Sequence, residues 1–317
     1  MLTLPPRLSS LPTIDGQVGL RVVIDFTIYL KGPSEGDLDA LWDLYEAVCP
    51  KGRRVSFKID ELLLWSPIAN PELTQSAREA LASGRKRPYF EATRRRVRSR
   101  RSFTSRIWDG REIGDPDGSW SFTCAGLRRR ASGLHSFARF LVPLSTELDV
   151  VERLALEVAD KFEFRSGHGG LVFTYDPELE GPAFDQIYGL AKRFWGVDID
   201  DMDQTLPLAE KHIKGVNWIT AVGSEFARKV AYRIERLAMT PDLKVRRAAK
   251  GVVIVAGAAP NPGDQNTAPG GPADYRRVAE ALAPLFMASH PDFPSERFMG
   301  SGSTSGWIRR FIDPGAW

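Results

Sequence analysis

The stretch RVVIDFTIYLKGPSEGDLDALWDLYEAVCP, Arg21 to Pro50, decides the fold class. Val22, Ile24, Phe26, Ile28 and Leu30 alternate with Arg21, Asp25, Thr27 and Tyr29, the two-residue period of a strand with one buried face. Gly32 and Pro33 turn the chain. Ser34 with Asp37 three residues on is a helix-start pattern, in which each side chain accepts from the other residue's backbone amide. Leu38, Leu41, Trp42, Tyr45 and Val48 then recur at helical spacing until Pro50 ends the run. RRVSFKIDELLLW, Arg53 to Trp65, returns as a strand.

The same order is written again further on. HSFARFLVPLS, His135 to Ser145, reads as a strand, and Thr146 with Asp149 repeats the capping pattern. Val151, Leu154, Ala155, Val158 and Phe162 mark one helix face, and GGLVFTYDP, from Gly169, closes the unit as a strand. Pro182 opens a helix whose buried face is Phe184, Ile187, Tyr188, Ala191, Phe194 and Trp195, with Gly196 at its end. GVNWITAVG, from Gly215 to Gly223, reads as a strand, and Ser224 as the cap of a helix carrying Phe226, Val230 and Ile234. GVVIVAGAAPNPGD is a buried strand entering a loop, and Pro272 begins a helix through Tyr275, Val278, Leu282 and Phe286. MGSGSTSGW, Met299 to Trp307, reads as a mobile loop before a final packed segment. The expected fold is α+β: two strand–helix–strand halves packed as one compact body, with mixed or antiparallel sheets and helices on the faces. The expected domain is single, 1–317, with halves 17–130 and 131–317.

Composition bounds the function classes. The chain has 317 residues, long enough for a substantial core, and 43 Lys and Arg against 40 Asp and Glu give a net charge of +3. Near-balance predicts no bulk attraction to nucleic acid or membrane, so electrostatic function falls to local clusters. Two cysteines, Cys49 and Cys124, make no disulfide framework and read as small buried apolar residues. The N-terminus shows no signal-peptide pattern, and no apolar run reaches the roughly 20 residues of a membrane span. A cytoplasmic protein is expected.

Two charge clusters stand out. RKRPYFEATRRRVRSRR, Arg85 to Arg101, is interrupted only by Glu91. Arg94, Arg95, Arg96, Arg98, Arg100 and Arg101 beside Tyr89 and Phe90 could neutralise phosphates and stack bases. The same arginines could pair with carboxylates of this chain, or read carboxylates of a protein partner. GVDIDDMD sets Asp198, Asp200, Asp201 and Asp203 in one loop. Such a loop could hold a hard cation, though it lacks the turn glycine and distal bidentate Glu of a calcium hand. It could equally face water, or meet a basic partner. Enzyme patterns fail: His135, His168, His212 and His290 form no metal-ligand spacing, GSTSG has Thr304 where a nucleophile elbow needs Ser, and no phosphate loop occurs. A hydrolase would have to be built around His168 or the Asp198–Asp203 loop. No metal and no cofactor are expected.

FDQIYGLAKRFWGVDIDDMD followed by HIKGVNWITAVGSEFARKV resembles the central signature of the type VI secretion immunity family, whose members are paired with VRR-Nuc nuclease toxins. Its aromatic helix, GVD segment and IKGVNWLT-like strand match Phe184 to Val230, with Ile219 where Leu is commoner. The resemblance implies a non-enzymatic protein that neutralises a secreted toxin by tight binding in the producing cell. Gly196, Gly215, Asn217, Trp218 and Gly223 are then structural markers. Asp198, Asp200, Asp201 and Asp203 become candidate contacts that mimic phosphates in a basic nuclease groove, and Arg94, Arg95 and Arg98 candidate contacts to toxin carboxylates. A nucleic-acid-binding module and a hydrolase are the alternatives, and the oligomeric state is left open.

Overall fold

Strand β1, Leu20–Leu30, lies at the centre of one ten-stranded sheet. The computed structural model describes the whole chain except residues 1, 12, 15, 17–18, 61–63, 70–73, 111–119, 131–132, 200 and 301. The remaining strands are β2 (Ser56–Ile59), β3 (Ser66–Pro67), β4 (Phe103–Trp108), β5 (Ser121–Arg130), β6 (Gly133–Val142), β7 (Phe164–Tyr175), β8 (Ile219–Gly223), β9 (Leu243–Ala248) and β10 (Gly251–Ala256). Their order is β3-β2-β4-β5-β6-β1-β7-β8-β10-β9, and every strand pairing is antiparallel. β1 pairs with β6 from Ile24↔Val142 to Leu30↔Ser136 and with β7 from Leu20↔Tyr175 onward. A strand of the first expected half is thus held between two strands of the second.

The helices are α1 (Pro6–Ser9), α2 (Glu35–Val48), α3 (Gln75–Ala82), α4 (Glu91–Arg98), α5 (Leu148–Lys161), α6 (Glu180–Arg193), α7 (Met202–Thr205), α8 (Ser224–Lys229), α9 (Ala231–Leu237), α10 (Ala273–Leu282) and α11 (Ser303–Arg309). α2 starts as the sequence directs: Ser34 Oγ accepts from Asp37 N at 3.1 Å, and Ser34 N donates to Asp37 Oδ2 at 2.7 Å. Its apolar stripe meets the even-numbered face of β1 through the ring series Phe26, Phe140, Phe122 and Tyr45. α4 and α5 pack on this face as well, and α6, α8 to α10 and α11 cover the other. Both cysteines are buried in the core.

Several local expectations change. β1 is buried on both faces, with Asp25 and Thr27 fully enclosed. Period-two alternation reports which face is polar, not whether that face meets water. The N-cap of α5 is Glu147, one residue past Thr146, with no side-chain capping bond. Ser224 is the first residue of α8 and follows Gly223 as N-cap, again without a side-chain bond. β8 begins at Ile219, so Val216 to Trp218 approach the sheet as irregular backbone. The segment expected as a mobile loop, Met299 to Trp307, runs into α11, whose Thr304, Gly306, Trp307 and Ile308 are buried.

Candidate functional site

The polar face of β1 and β7 is the floor of a buried cluster. Thr27 and His168 are register partners, and Thr220 of β8 lies opposite His168 on the far side. The segment between α6 and β8 lays Asp198 and Lys214 over them. Lys214 Nζ donates to Asp198 Oδ2 at 2.9 Å and to the Ile199 carbonyl at 2.6 Å, and His168 Nε2 lies 3.2 Å from the same Asp198 oxygen. Asp198 also joins the sheet through its backbone, accepting from Phe173 N and donating to Leu171 O. Trp307 and Arg310 close the roof, with the Arg310 guanidinium 3.8 Å from the Trp307 ring centre. Burial lowers the Arg310 pKa to about 10. The enclosed space is about 10 Å³, room for one water and nothing larger. Charges this deep are tolerated because Lys214 and Asp198 pair with each other and the Arg310 guanidinium donates to the Trp195 and Trp307 carbonyls. The cluster ties the covering segment to the sheet.

The signature residues do the same work around it. Asn217 Oδ1 accepts from Trp218 N at 2.8 Å, and Asn217 Nδ2 donates to Leu171 O at 3.4 Å. Trp218 is fully buried and its indole donates to Gly257 O. A Cβ on Gly196 would overlap the Asn261 carbonyl, and one on Gly223 would overlap the Phe164 carbonyl, so backbone passes where a side chain cannot. Gly215 is different: the nearest atom to an added Cβ is Ile308 O at 3.8 Å, ordinary contact.

The two charge clusters come apart in the structure. Asp198 is inside, not on a loop surface, and its carboxylate is occupied by Lys214 and His168. Asp200 lies outside the described residues. Asp201 is the N-cap of α7, its Oδ1 accepting from Gln204 N, and Asp203 is exposed. No group of three or more His, Cys, Asp or Glu among the described residues is placed to hold a metal ion.

The arginine run is an internal lattice. Arg94 is buried: its guanidinium holds Asp39 at 2.6 Å, donates to the Lys86 and Arg87 carbonyls, and lies over the Trp42 ring. Buried Glu91 is the hub, with Arg98 at 2.7 Å, Arg85 at 3.4 Å, Arg94 at 3.6 Å and Arg95 at 3.7 Å. Burial pushes the Glu91 carboxyl up, but the Arg98 hydrogen bond and the surrounding guanidiniums outweigh it and hold the pKa below the ordinary value. Arg95 reaches Glu79 at 2.5 Å and Arg98 reaches Glu35 at 2.5 Å. Arg87 pairs with Glu46 and Asp43, and Arg96 approaches Asp60 at 3.7 Å. Arg95 and Arg98 are exposed at the rim of this lattice, and Arg100 and Arg101 are exposed beyond it.

A family described as type VI immunity for VRR-NUC, TsiV, matches residues 58–311. The chain belongs to the TsiV family. Among solved structures, the Pseudomonas aeruginosa T6SS protein PA0821 has a similar fold, with a TM-score of 0.69 and 19% identity over 92% of this chain and 82% of that one. No curated protein sequence matches the chain. The TsiV match takes in α4 with its arginines, the buried cluster and α11. No helix among the described residues is long and apolar enough to cross a membrane. One surface escaped the sequence reading altogether: the exposed basic residues of α8, α9 and β9. They are spread through residues 224–250 singly or as the pairs Arg228–Lys229 and Arg246–Arg247, so no long run of like charge marks them.

Proposed function

We propose that this immunity protein neutralises its cognate VRR-Nuc toxin by direct, stoichiometric, non-catalytic binding in the cytoplasm of the producing cell. The observation that carries the reading is the TsiV match over residues 58–311. The geometry supports it from a second side. The buried cluster of titratable groups around His168, Asp198 and Lys214 encloses about 10 Å³ and offers no substrate-sized space. A preformed surface on a rigid sheet is what an inhibitor needs, because little ordering entropy is then lost on binding.

The test is a titration. The cognate VRR-Nuc toxin domain is purified, and its nuclease activity is followed as this protein is added. One equivalent abolishes activity and smaller amounts leave a proportional remainder, while co-expression restores growth. Complete silencing by a small fraction of an equivalent would instead mean catalysis and sink the binding reading.

A further inference from the structure

Residues 224–250 carry eight Lys and Arg against three Asp and Glu, while the rest of the chain is slightly acidic. α8, α9 and β9 gather these charges at one edge of the sheet. The acids present do little to neutralise them. Glu225 is turned away to Lys31 and Arg165, and Glu235 reaches Arg247 only at 3.5 Å with both side chains exposed. Lys244 and Lys250 pair with Glu152 and Glu163. Among the described residues Arg228, Arg236 and Arg246 have no carboxylate partner, in contrast to the lattice around Glu91. Between the helices and β9 runs a groove of about 330 Å³, with Arg228 and Arg247 on its walls and Ala227, Ala231, Ile234 and Val252 among its lining. Tyr232 on α9 and Met239 just past its end are 72% and 76% exposed. β9 is the terminal strand of the sheet, bonded on one side to β10.

Charges on an edge strand can serve only to keep it from pairing with another copy. That accounts for Lys244, Arg246 and Arg247. It does not account for Arg228 and Arg236 on the helices, or for two large apolar side chains held in water beside them. Arg, Tyr and Met, all exposed within residues 228–239, are residue types enriched at protein interfaces. Unneutralised positive charge selects an acidic partner and accelerates its approach.

We infer that the groove between α8–α9 and β9 is the toxin-docking surface and receives an acidic segment of the toxin. Carboxylates of that segment meet Arg228 and Arg247, an apolar side chain enters the groove, and Tyr232 and Met239 cover its rim. The inference rests on the immunity reading above.

The test compares the wild-type protein with R228E/R236E/R247E, and with Y232A/M239A, which changes exposed side chains only. R153E on α5 serves as a control, and circular dichroism establishes that each variant is folded. Binding to the purified toxin domain is measured by biolayer interferometry at several salt concentrations. The charge reversal is expected to slow association at least ~10-fold at low salt and weaken Kd about 100-fold, with a flatter salt dependence. Y232A/M239A is expected to weaken Kd about 10-fold through faster dissociation, and R153E to match wild type. If wild type binds and both groove variants bind equally well, the surface assignment is overturned and the immunity reading stands. If wild type does not bind the toxin, both fall together. Two other results overturn the assignment: salt-sensitive duplex DNA binding, or a homodimer in sedimentation, abolished by the charge reversal while toxin binding persists.

Discussion

Lys214 and Asp198 show at the residue scale why a motif without catalytic chemistry is so particular. Both are buried, sixteen positions apart, and each offsets part of the other's penalty for leaving water. K214M leaves the carboxylate in place without its ammonium, and the expected cost is about 3 to 5 kcal/mol of stability, read from urea unfolding. K214M/D198N should recover part of that loss, since a neutral amide replaces the stranded charge. A loss below about 1 kcal/mol in K214M would show the pair to be incidental. The sequence shows the chemistry of these residues but not their depth. Asp198 stands among other aspartates in a string that looks solvent-facing, and its partners Lys214 and His168 come from other parts of the chain. Gly196 and Gly223 were legible as punctuation, yet the reason for them, a carbonyl where a Cβ would stand, exists only after folding.

Among the elements, α2 and α4 mark the two extremes. α2 was legible from its cap to its last turn because capping and period are both local signals, satisfied within a few residues. α5 has the same apparent cap at Thr146, but its helix starts later and the hydroxyl does not cap it. α11 was hidden by Gly and Ser, whose weak helix propensity is overridden by the burial of Trp307 and Ile308. β9 was hidden because an exposed edge strand lacks a continuous apolar side. α4 was visible as charge but not as structure: its arginines serve Glu91, Glu79, Glu35 and Asp39, which lie on α2, α3 and α4 itself. The depressed pKa of Glu91 gives this lattice a pH signature. The unfolded chain takes up the Glu91 proton at the ordinary carboxylate value and the folded chain only at lower pH. The stability Glu91 contributes is therefore present above the unfolded value and lost as pH falls through the folded one. E91Q should reduce stability at pH 7 and flatten its decline as pH falls below the ordinary carboxylate value, followed by thermal unfolding across the acid range. An unchanged acid slope in E91Q would assign the decline to other carboxylates.

For the whole molecule, the α+β class followed from local patterns, while the strand order did not, because pairing partners are set by contacts far apart in sequence. The order matters for how the protein holds together. β1 comes before residue 130 in the chain yet is bonded along both edges by β6 and β7, which come after it. Removing it would expose the unpaired backbone of both neighbours and uncover Phe140 and Leu171 at the centre of the core. The buried cluster would open as well, since Thr27 and Tyr29 form part of its floor beside His168. Neither 17–130 nor 131–317 is then expected to fold when expressed alone. The intact chain is expected to unfold in one transition, with near-ultraviolet and far-ultraviolet circular dichroism giving the same midpoint. Two separated transitions, or a soluble 131–317 fragment with native far-ultraviolet signal, would show that the halves are independent. A single transition also has a consequence for the docking groove. α8, α9 and β9 contain no central strand, but through β8 and β10 they rest on β7 and so on β1. Destabilising β1 should therefore weaken toxin binding only in proportion to the unfolded fraction, whereas R228E/R236E/R247E should weaken it in a protein that remains folded.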